Sequence, residues 1–340
     1  MIVGCSQKDT QTVPQGETKK NYFTYKTDIT PLLLKRVGFE DIDGFMEDDL
    51  DLALEVFQKS CDKTSLDPRL VNVCKKAIYY DDGYKFWTEN FGAFMLYDEN
   101  KNKDGLITGY FEPIIYGSMK KTRRFRYPVF KLPKNMRIRG LSRKRHETRR
   151  YKKSEVLFYT DNKVDSFFME IQGSGRVKLR DGSIKNVAYA GQNGQKYYPI
   201  GRELVKIKAI KEQHMSLQAI KKWCEKYPKR ANRLFYLNKS KIFFYFSEQT
   251  ATGSLGVPLV AKRNIAVDRR TIPLGFPVFV ATKHPITKDD LNTLTVAADT
   301  GGAIKGAIRA DFFWGAGNKA GNIAGKMKEK LNMILLIPNE

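Results

Sequence analysis

Two aspartates set 12 residues apart, Asp299 and Asp311, stand in the chain's densest cluster of acid and glycine, Ala298-Asp299-Thr300-Gly301-Gly302-Ala303-Ile304-Lys305-Gly306-Ala307-Ile308-Arg309-Ala310-Asp311-Phe312. A third, Asp268, falls in the segment from Ile265 to Gly275. A carboxyl group serves as a general acid near neutral pH only if its pKa is lifted well above the solution value, and loss of water lifts it. Asp311, set among Ala310, Phe312, Phe313 and Trp314, has the neighbours to do that if the segment is buried. Its plainer role would be a carboxylate satisfied by backbone amides at a turn. Asp299, followed by Thr300-Gly301-Gly302, fits that plainer role better, because glycines allow a tight turn whose amides an aspartate can accept. Asp268 reads the same way, with Arg269 or Arg270 as a charge partner.

Two other segments, Ile171-Gln172-Gly173-Ser174-Gly175 and Tyr189-Ala190-Gly191-Gln192-Asn193-Gly194, gather amides, a hydroxyl and glycines on what read as loops. Such groups bind sugar hydroxyls and N-acetyl groups without charge, although each segment also serves as a simple turn. The Gly301-Gly302 pair with Lys305 lacks the spacing of a phosphate-binding loop. The three histidines, His146, His214 and His284, are isolated, His214 reads as a surface residue, and they support no nucleophile–histidine triad. The four cysteines, Cys5, Cys61, Cys74 and Cys224, lack the paired short spacing of a zinc site, so neither a metal nor a cofactor is expected.

The elements that must position these residues fall into three stretches. From Phe39 to about Leu96 the apolar spacing is helical, with Asp67-Pro68 as a helix start, a third helix over Tyr84 to Met95, and Trp87 and Phe91 in the core. Strands follow over Leu106 to Phe111 and Tyr127 to Phe130, and a hairpin turns at Arg180-Asp181-Gly182-Ser183. Two short helices cover Ile200 to about Tyr227, the second capped by Ser216. Beyond Lys241, strands at Ile242–Phe246, Gly256–Leu259, Ile265–Val267, Val278–Ala281, Leu294–Ala297 and Met333–Ile337 suit a closed barrel.

At 340 residues the chain is large enough for two domains, and no apolar run approaches the roughly 20 residues that cross a bilayer. The net charge of +23 is uneven: between Met119 and Lys153 stand 16 Lys or Arg against one acid, Glu147, a local excess of +15. With Phe125, Tyr127, Phe130 and Tyr151 interleaved, this stretch could grip a nucleic acid, or be two solvated strands and a loop that attract any polyanion, and composition leaves both open. Cys61 and Cys74 could close a short disulfide in an oxidising compartment or remain buried thiols. Ile2-Val3-Gly4-Cys5-Ser6 resembles the lipobox at which bacterial lipoproteins are acylated, without the basic and apolar segments of a signal peptide before it. We expect lipidation at Cys5, with residues 1–20 as a flexible tether.

Taken in order, Thr108-Gly109-Tyr110, Phe168 to Gly175, Ala190-Gly191-Gln192-Asn193-Gly194, Val257-Pro258-Leu259-Val260, Asp268 to Gly275 and Asp299 to Gly317 resemble the membrane-bound lytic murein transglycosylase A family of Gram-negative bacteria. The likeness covers roughly residues 40 to 340. It implies a mainly β fold with accessory helices, an α+β class. A double-psi β-barrel would be formed by residues 21–110 and 242–340, with a three-aspartate (3D) module at about 246–320. A smaller β-rich domain, 111–241, would be inserted, with the substrate groove between the two.

The resemblance also implies an activity and a site. Asp311 matches the family's catalytic acid, with Asp299 and Asp268 in support, and Thr108, Tyr110, Gln172, Gly173, Ser174, Ala190, Gly191, Gln192 and Asn193 match segments expected to bind substrate. The reaction implied is cleavage of the β-1,4 bond between N-acetylmuramic acid and N-acetylglucosamine in peptidoglycan, leaving a 1,6-anhydro end. The implied location is the periplasmic face of the outer membrane, with glycan strands as partner and complexes with cell-wall synthases or amidases compatible. Nucleic acid then drops out as a partner, and the basic stretch becomes a candidate for wall-peptide carboxylates. A non-catalytic wall-binding lipoprotein and, more distantly, a nucleic-acid binder remain the alternatives.

Overall fold

The computed structural model describes residues 23–25, 32–63 and 66–339. Cys5 and the expected tether lie outside them.

The chain opens with strands β1 (Phe23–Tyr25) and β2 (Leu32–Val37), followed by helices α1 (Leu50–Cys61), α2 (Val71–Ala77) and α3 (Gly83–Asn90). Asp49 caps α1 by accepting from Leu52 N, and Ala53, Leu54 and Phe57 form the face it buries. Asp67 starts the next helical segment as expected, accepting from Arg69 N ahead of Pro68. Cys61 and Cys74 are disulfide-bonded, closing α1 onto α2.

The expected third helix stops at Asn90, and Phe91–Tyr97 is strand β3. Most of that run is buried on both faces, so its apolar residues carry no period that separates helix from strand. Trp87 and Phe91 are core residues, as expected, and the Trp87 indole donates to Leu50 O. Strand β4 (Gly105–Glu112) follows.

Next come β5 (Ile114–Ser118), β6 (Tyr127–Phe130), α4 (Met136–Arg139), α5 (Arg143–Thr148), β7 (Val156–Thr160), α6 (Lys163–Gln172), β8 (Gly175–Leu179) and β9 (Ile184–Gln192). The Asp-Gly hairpin lies between β8 and β9 as expected, with Leu179 N donating to Ser183 O. Helices α7 (Ile200–Lys206), α8 (Leu217–Lys226) and α9 (Pro228–Leu237) precede β10 (Ile242–Ser247), and Ser216 caps α8 by accepting from Ala219 N. The chain ends with β11 (Asn264–Val267), β12 (Pro277–Lys283), β13 (Asp290–Thr300), β14 (Arg309–Ala316), α10 (Gly317–Ala324) and β15 (Lys328–Pro338).

These strands form two sheets. In the larger, β15, β12, β13, β11, β14 and β4 are bonded in that order, and β4 pairs back to β15, closing a six-stranded barrel. Its β11–β13 and β14–β4 pairings are parallel. Strands β3, β2 and β1 extend the sheet from β15, and the N-terminal helices share its core. The smaller sheet runs β10-β9-β8-β5-β7-β6 over its own core. The fold is therefore mainly β with helices, as expected.

Two of the strands read from the sequence as barrel strands are not barrel strands. Ile242–Ser247 pairs with β9 in the smaller sheet, and Gly256–Leu259 is irregular apart from one bridge between Thr252 and Pro258. Their places in the barrel are taken by β4 and by β14, which the glycines around it, Gly306, Gly315 and Gly317, disguised.

The basic stretch is also not two strands and a loop of solvated charge. It contains α4 and α5, Arg143 is 1% exposed, and its guanidinium bonds Glu170 at 2.9 Å and the carbonyls of Asn238 and Ser240. His146 within the stretch is fully buried, with its ring edge-on to Phe243, and burial holds its pKa down.

Candidate active site

Register across the barrel assembles the site. Ala266 on β11 is the partner of Asp299 on β13 and of Asp311 on β14, and Asp311 is in turn the partner of Thr108 on β4. Partners across a ladder share a face, so Asp299, Ala266, Asp311 and Thr108 form one row over four adjacent strands. The two aspartates are two strand spacings apart, about 10 Å.

Asp311 is mostly buried. Thr108 Oγ1 donates to its Oδ1 at 2.6 Å, and Arg309 Nη2 donates to the same threonine oxygen at 2.7 Å. The threonine proton is thereby directed at the carboxyl, and the guanidinium is held two residues from it along β14. Burial raises the Asp311 pKa to about 6, Thr108 and Arg309 pull it back, and Asp299 adds to the rise. Tyr110 stands two residues after Thr108 on the same face of β4 and packs on Phe313. Its hydroxyl is buried near Asp299; burial raises its pKa well above the usual phenol value, with Asp299 and Asp311 contributing.

Asp299 has the structural role that its glycine-flanked turn suggested. Its Oδ1 accepts from Ser254 N at 2.9 Å, Ser254 Oγ at 2.8 Å and Thr300 N at 2.8 Å, while burial keeps its pKa raised. Asp268 is bound to Arg270, whose Nη2 and Nε donate at 2.6 and 2.9 Å, and it also accepts from Gly306 N at 3.2 Å. The Arg270 hydrogen bond, with that from the Gly306 amide, holds its pKa low against the effect of burial. It ties the turn after β11 to the turn before β14 and stays charged.

The smaller sheet reaches the site through Gln172. This residue ends α6 rather than lying on a loop; Gly173, at φ +81°, closes the helix, and Ser174 follows. Gln172 Oε1 accepts from Phe111 N at 2.9 Å, immediately after Tyr110. Ala190, Gly191 and Gln192 are likewise not loop residues but the end of β9, where Gly191 and Gln192 pair with β10 and the ladder shifts at Ala190. Asn193 cannot serve a sugar, because its side chain is spent on the fold. Its amide donates to Leu141 O and Lys239 O, and its oxygen accepts from Lys241 N and Gln195 N. Among the described residues, no hydrogen bond joins 190–193 to Asp311 or Asp299. The structure thus brings together Asp311, Asp299, Thr108, Tyr110 and Gln172, with Asp268 one turn away.

Sequence reasoning missed Arg309, Ser254 and the pair formed by Glu112 and Arg176, Nε to Oε2 at 2.8 Å. Arg309 was discoverable: had 309–313 been read as a strand, alternation would have put it on the Asp311 face.

Residues 106–245 match the family described as MltA specific insert domain, and residues 263–337 match a 3D domain. The chain is 36% identical over 232 residues to a protein of Buchnera aphidicola subsp. Schizaphis graminum (strain Sg) described as a membrane-bound lytic murein transglycosylase A homolog. That match covers 64% of this chain and 62% of the relative, so the chain spans less than two thirds of the length of such curated relatives. Among solved structures, the lytic transglycosylase LtgG of Burkholderia pseudomallei is 33% identical with a TM-score of 0.62, covering 96% of this chain and 100% of that one. The structure of E. coli MltA with bound chitohexaose superposes with a TM-score of 0.76 over 97% of this chain and 98% of that one. At 24% identity this last likeness bears on the fold alone.

Proposed function

Because the chain belongs to the MltA family, we propose that it is a lytic transglycosylase that cleaves peptidoglycan between N-acetylmuramic acid and N-acetylglucosamine, with Asp311 as its single acid and base. The observation that carries the reading is the Asp311 carboxyl, mostly buried, oriented by Thr108 and raised to about 6, so that it holds a proton yet releases it readily.

Protonated Asp311 donates to the glycosidic oxygen as the bond to C1 of the muramyl sugar breaks, and positive charge develops on that sugar. The resulting carboxylate takes the proton from the C6 hydroxyl of the same sugar, whose oxygen bonds to C1. The 1,6-anhydro ring closes, Asp311 is protonated again and no water is consumed. Ordinary glycosidases divide acid and nucleophile or base between two carboxylates. Here one suffices because the nucleophile is already tethered, which gives it a high effective concentration. Asp299, with one oxygen committed to Ser254 and Thr300, supports the turn and keeps Asp311 protonated by its charge.

The strand would lie between the barrel and the smaller sheet, with Gln172, Gly173 and Ser174 on one side and Thr108 and Tyr110 on the other. Barrel residues would be 21–110 and the C-terminal segment, with the insert running to about 247 because β10 belongs to the smaller sheet. Lipidation at Cys5 would anchor the enzyme at the periplasmic face of the outer membrane, and the Cys61–Cys74 disulfide agrees with an oxidising compartment.

The test is digestion of purified peptidoglycan by the wild type and Asp311→Asn, read by mass spectrometry of the products. Anhydro ends from the wild type and none from the variant are expected. Reducing ends would indicate a hydrolase that uses a second carboxylate, and cleavage by neither protein would favour a wall-binding lipoprotein.

A further inference from the structure

Resting on the glycan-cleaving reading, we infer that the outer face of the smaller sheet, from Arg176 to the cleft around Tyr116, binds the peptides that peptidoglycan strands carry, through their carboxylates. On strands β5 and β8 the sheet buries Ile115, Val177 and Leu179 on one face. Alternation therefore turns Ile114, Tyr116, Arg176 and Lys178 the other way. Register sets Ile114 beside Arg176 and Tyr116 beside Lys178, with Ile184 of β9 on the far side of Lys178. Arg180 continues the row into the turn. Successive cations are then about 7 Å apart, the repeat of alternate side chains on an extended peptide.

The two ends of this row have different environments. At the barrel end, Arg176 donates to Glu112, the last residue of β4 and next in line after Thr108 and Tyr110 on the same face. Glu112 is 1% exposed and its Oε1 has no hydrogen-bond partner. A buried carboxylate thus holds the guanidinium by one edge and leaves its other N–H groups for a ligand.

At the far end two adjoining cavities, of about 740 and 620 Å³, share Tyr116, Arg123 and Arg124. Arg126, Asp161 and Asp165 line the first, and Lys178 and Arg180 line the second. Arg124 pairs with Asp161 and Lys221 with Asp165, whereas Arg123, Lys178 and Arg180 pair with no acid among the described residues.

This mixture of signs selects the ligand. A polyphosphate or an anionic bilayer surface would meet Asp161 and Asp165 in this open cleft. A peptide that carries carboxylates and an amino group satisfies both signs, and exposed Ile114, Tyr116 and Ile184 offer its short apolar side chains a surface. Only Arg123, Arg124 and Arg126 of the basic stretch take part; the β8 cations come from elsewhere in the chain.

The experiment compares soluble glycan strands bearing their peptides with the same strands stripped by an amidase, using wild type and Lys178→Glu/Arg180→Glu. For the wild type, KM is expected to be about tenfold lower on peptide-bearing strands, the scale of two exposed ion contacts, and the ratio should fall to near one in the variant. Calorimetry of the released peptide with Asp311→Asn, with and without the charge reversals, should show the same loss of about tenfold. An unchanged KM ratio, or an equal rise on both strands, overturns the inference. So does charge reversal that abolishes binding to phosphatidylglycerol vesicles while sparing the peptide. If the wild type cuts neither strand, the catalytic reading fails, and peptide binding still decides this one.

Discussion

Replacing Asp311 with asparagine should abolish cleavage and at the same time stabilise the protein, by an amount that depends on pH. The ordinary value for an aspartate is 3.8, and burial carries Asp311 to about 6. At about 1.36 kcal/mol per pH unit, ionising this carboxyl in the folded barrel costs about 3 kcal/mol more than ionising it in the unfolded chain. The sign follows from proton binding: between pH 3.8 and about 6 the folded state keeps a proton that the unfolded state has released, so wild-type stability falls as pH rises through that window. An asparagine does not titrate and keeps an oxygen for the Thr108 hydroxyl. The variant should match the wild type near pH 3.5, exceed it by about 3 kcal/mol near pH 7.5, and rise between these limits. Urea unfolding at a series of pH values, followed by the fluorescence of the buried tryptophans Trp87 on α3 and Trp314 on β14, measures the difference. A difference that is flat with pH, or a wild type more stable than the variant at pH 7.5, would refute the claim that the site holds a desolvated acid. A stability gain with loss of activity is what a site strained for function predicts.

Activity should itself follow the Asp311 proton: kcat/KM falls about tenfold per pH unit above about 6, and Thr108→Val, which removes a bond that lowers this pKa, moves the fall to higher pH and cuts kcat about tenfold or more. An unmoved limb would show that Thr108 does not act on the acid. Replacing both Cys61 and Cys74 with alanine should cost about 3 kcal/mol by freeing a short loop in the unfolded chain, and the urea midpoint of the variant should then be insensitive to reductant. Gly109→Ala puts a Cβ 2.8 Å from the Trp314 ring and 2.9 Å from Ala324 Cα, so β4 must shift beside Thr108. About 1–3 kcal/mol of stability and at least tenfold in kcat should be lost together; wild-type kinetics would show that the strand position is not critical.

The parts of the site that were legible in sequence were those written in short, contiguous signals. Asp311 was marked by its aromatic neighbours, Asp299 by the glycines after it, and Asp268 by the adjacent arginines, of which the structure uses Arg270. Helix caps at Asp67 and Ser216 and the Asp-Gly hairpin were read correctly because each depends on a few consecutive residues. Errors came where local signals run out. Phe91–Tyr97 is mostly buried on both faces and so lacks a telling period, and β14 is a strand set among glycines, Gly306, Gly315 and Gly317, that look like turns. Asn193 carries the atoms to bind a sugar, yet they are consumed by two backbone segments distant in the chain, at Leu141 and at Lys239–Lys241.

By itself the sequence determined which residues can do chemistry, the order of the motifs and the mainly β character, since side-chain type and periodicity are local properties. Only the tertiary structure decided which strands became neighbours. Thr108 and Asp311 are 203 residues apart and meet because β4 closes the barrel against β14. The same closure removes water from Asp311, places Arg309 behind Thr108 and sets Asp299 two strands away. Its pKa is therefore a property of the closed barrel, because burial and the surrounding charges belong to the assembled strands and not to the residue.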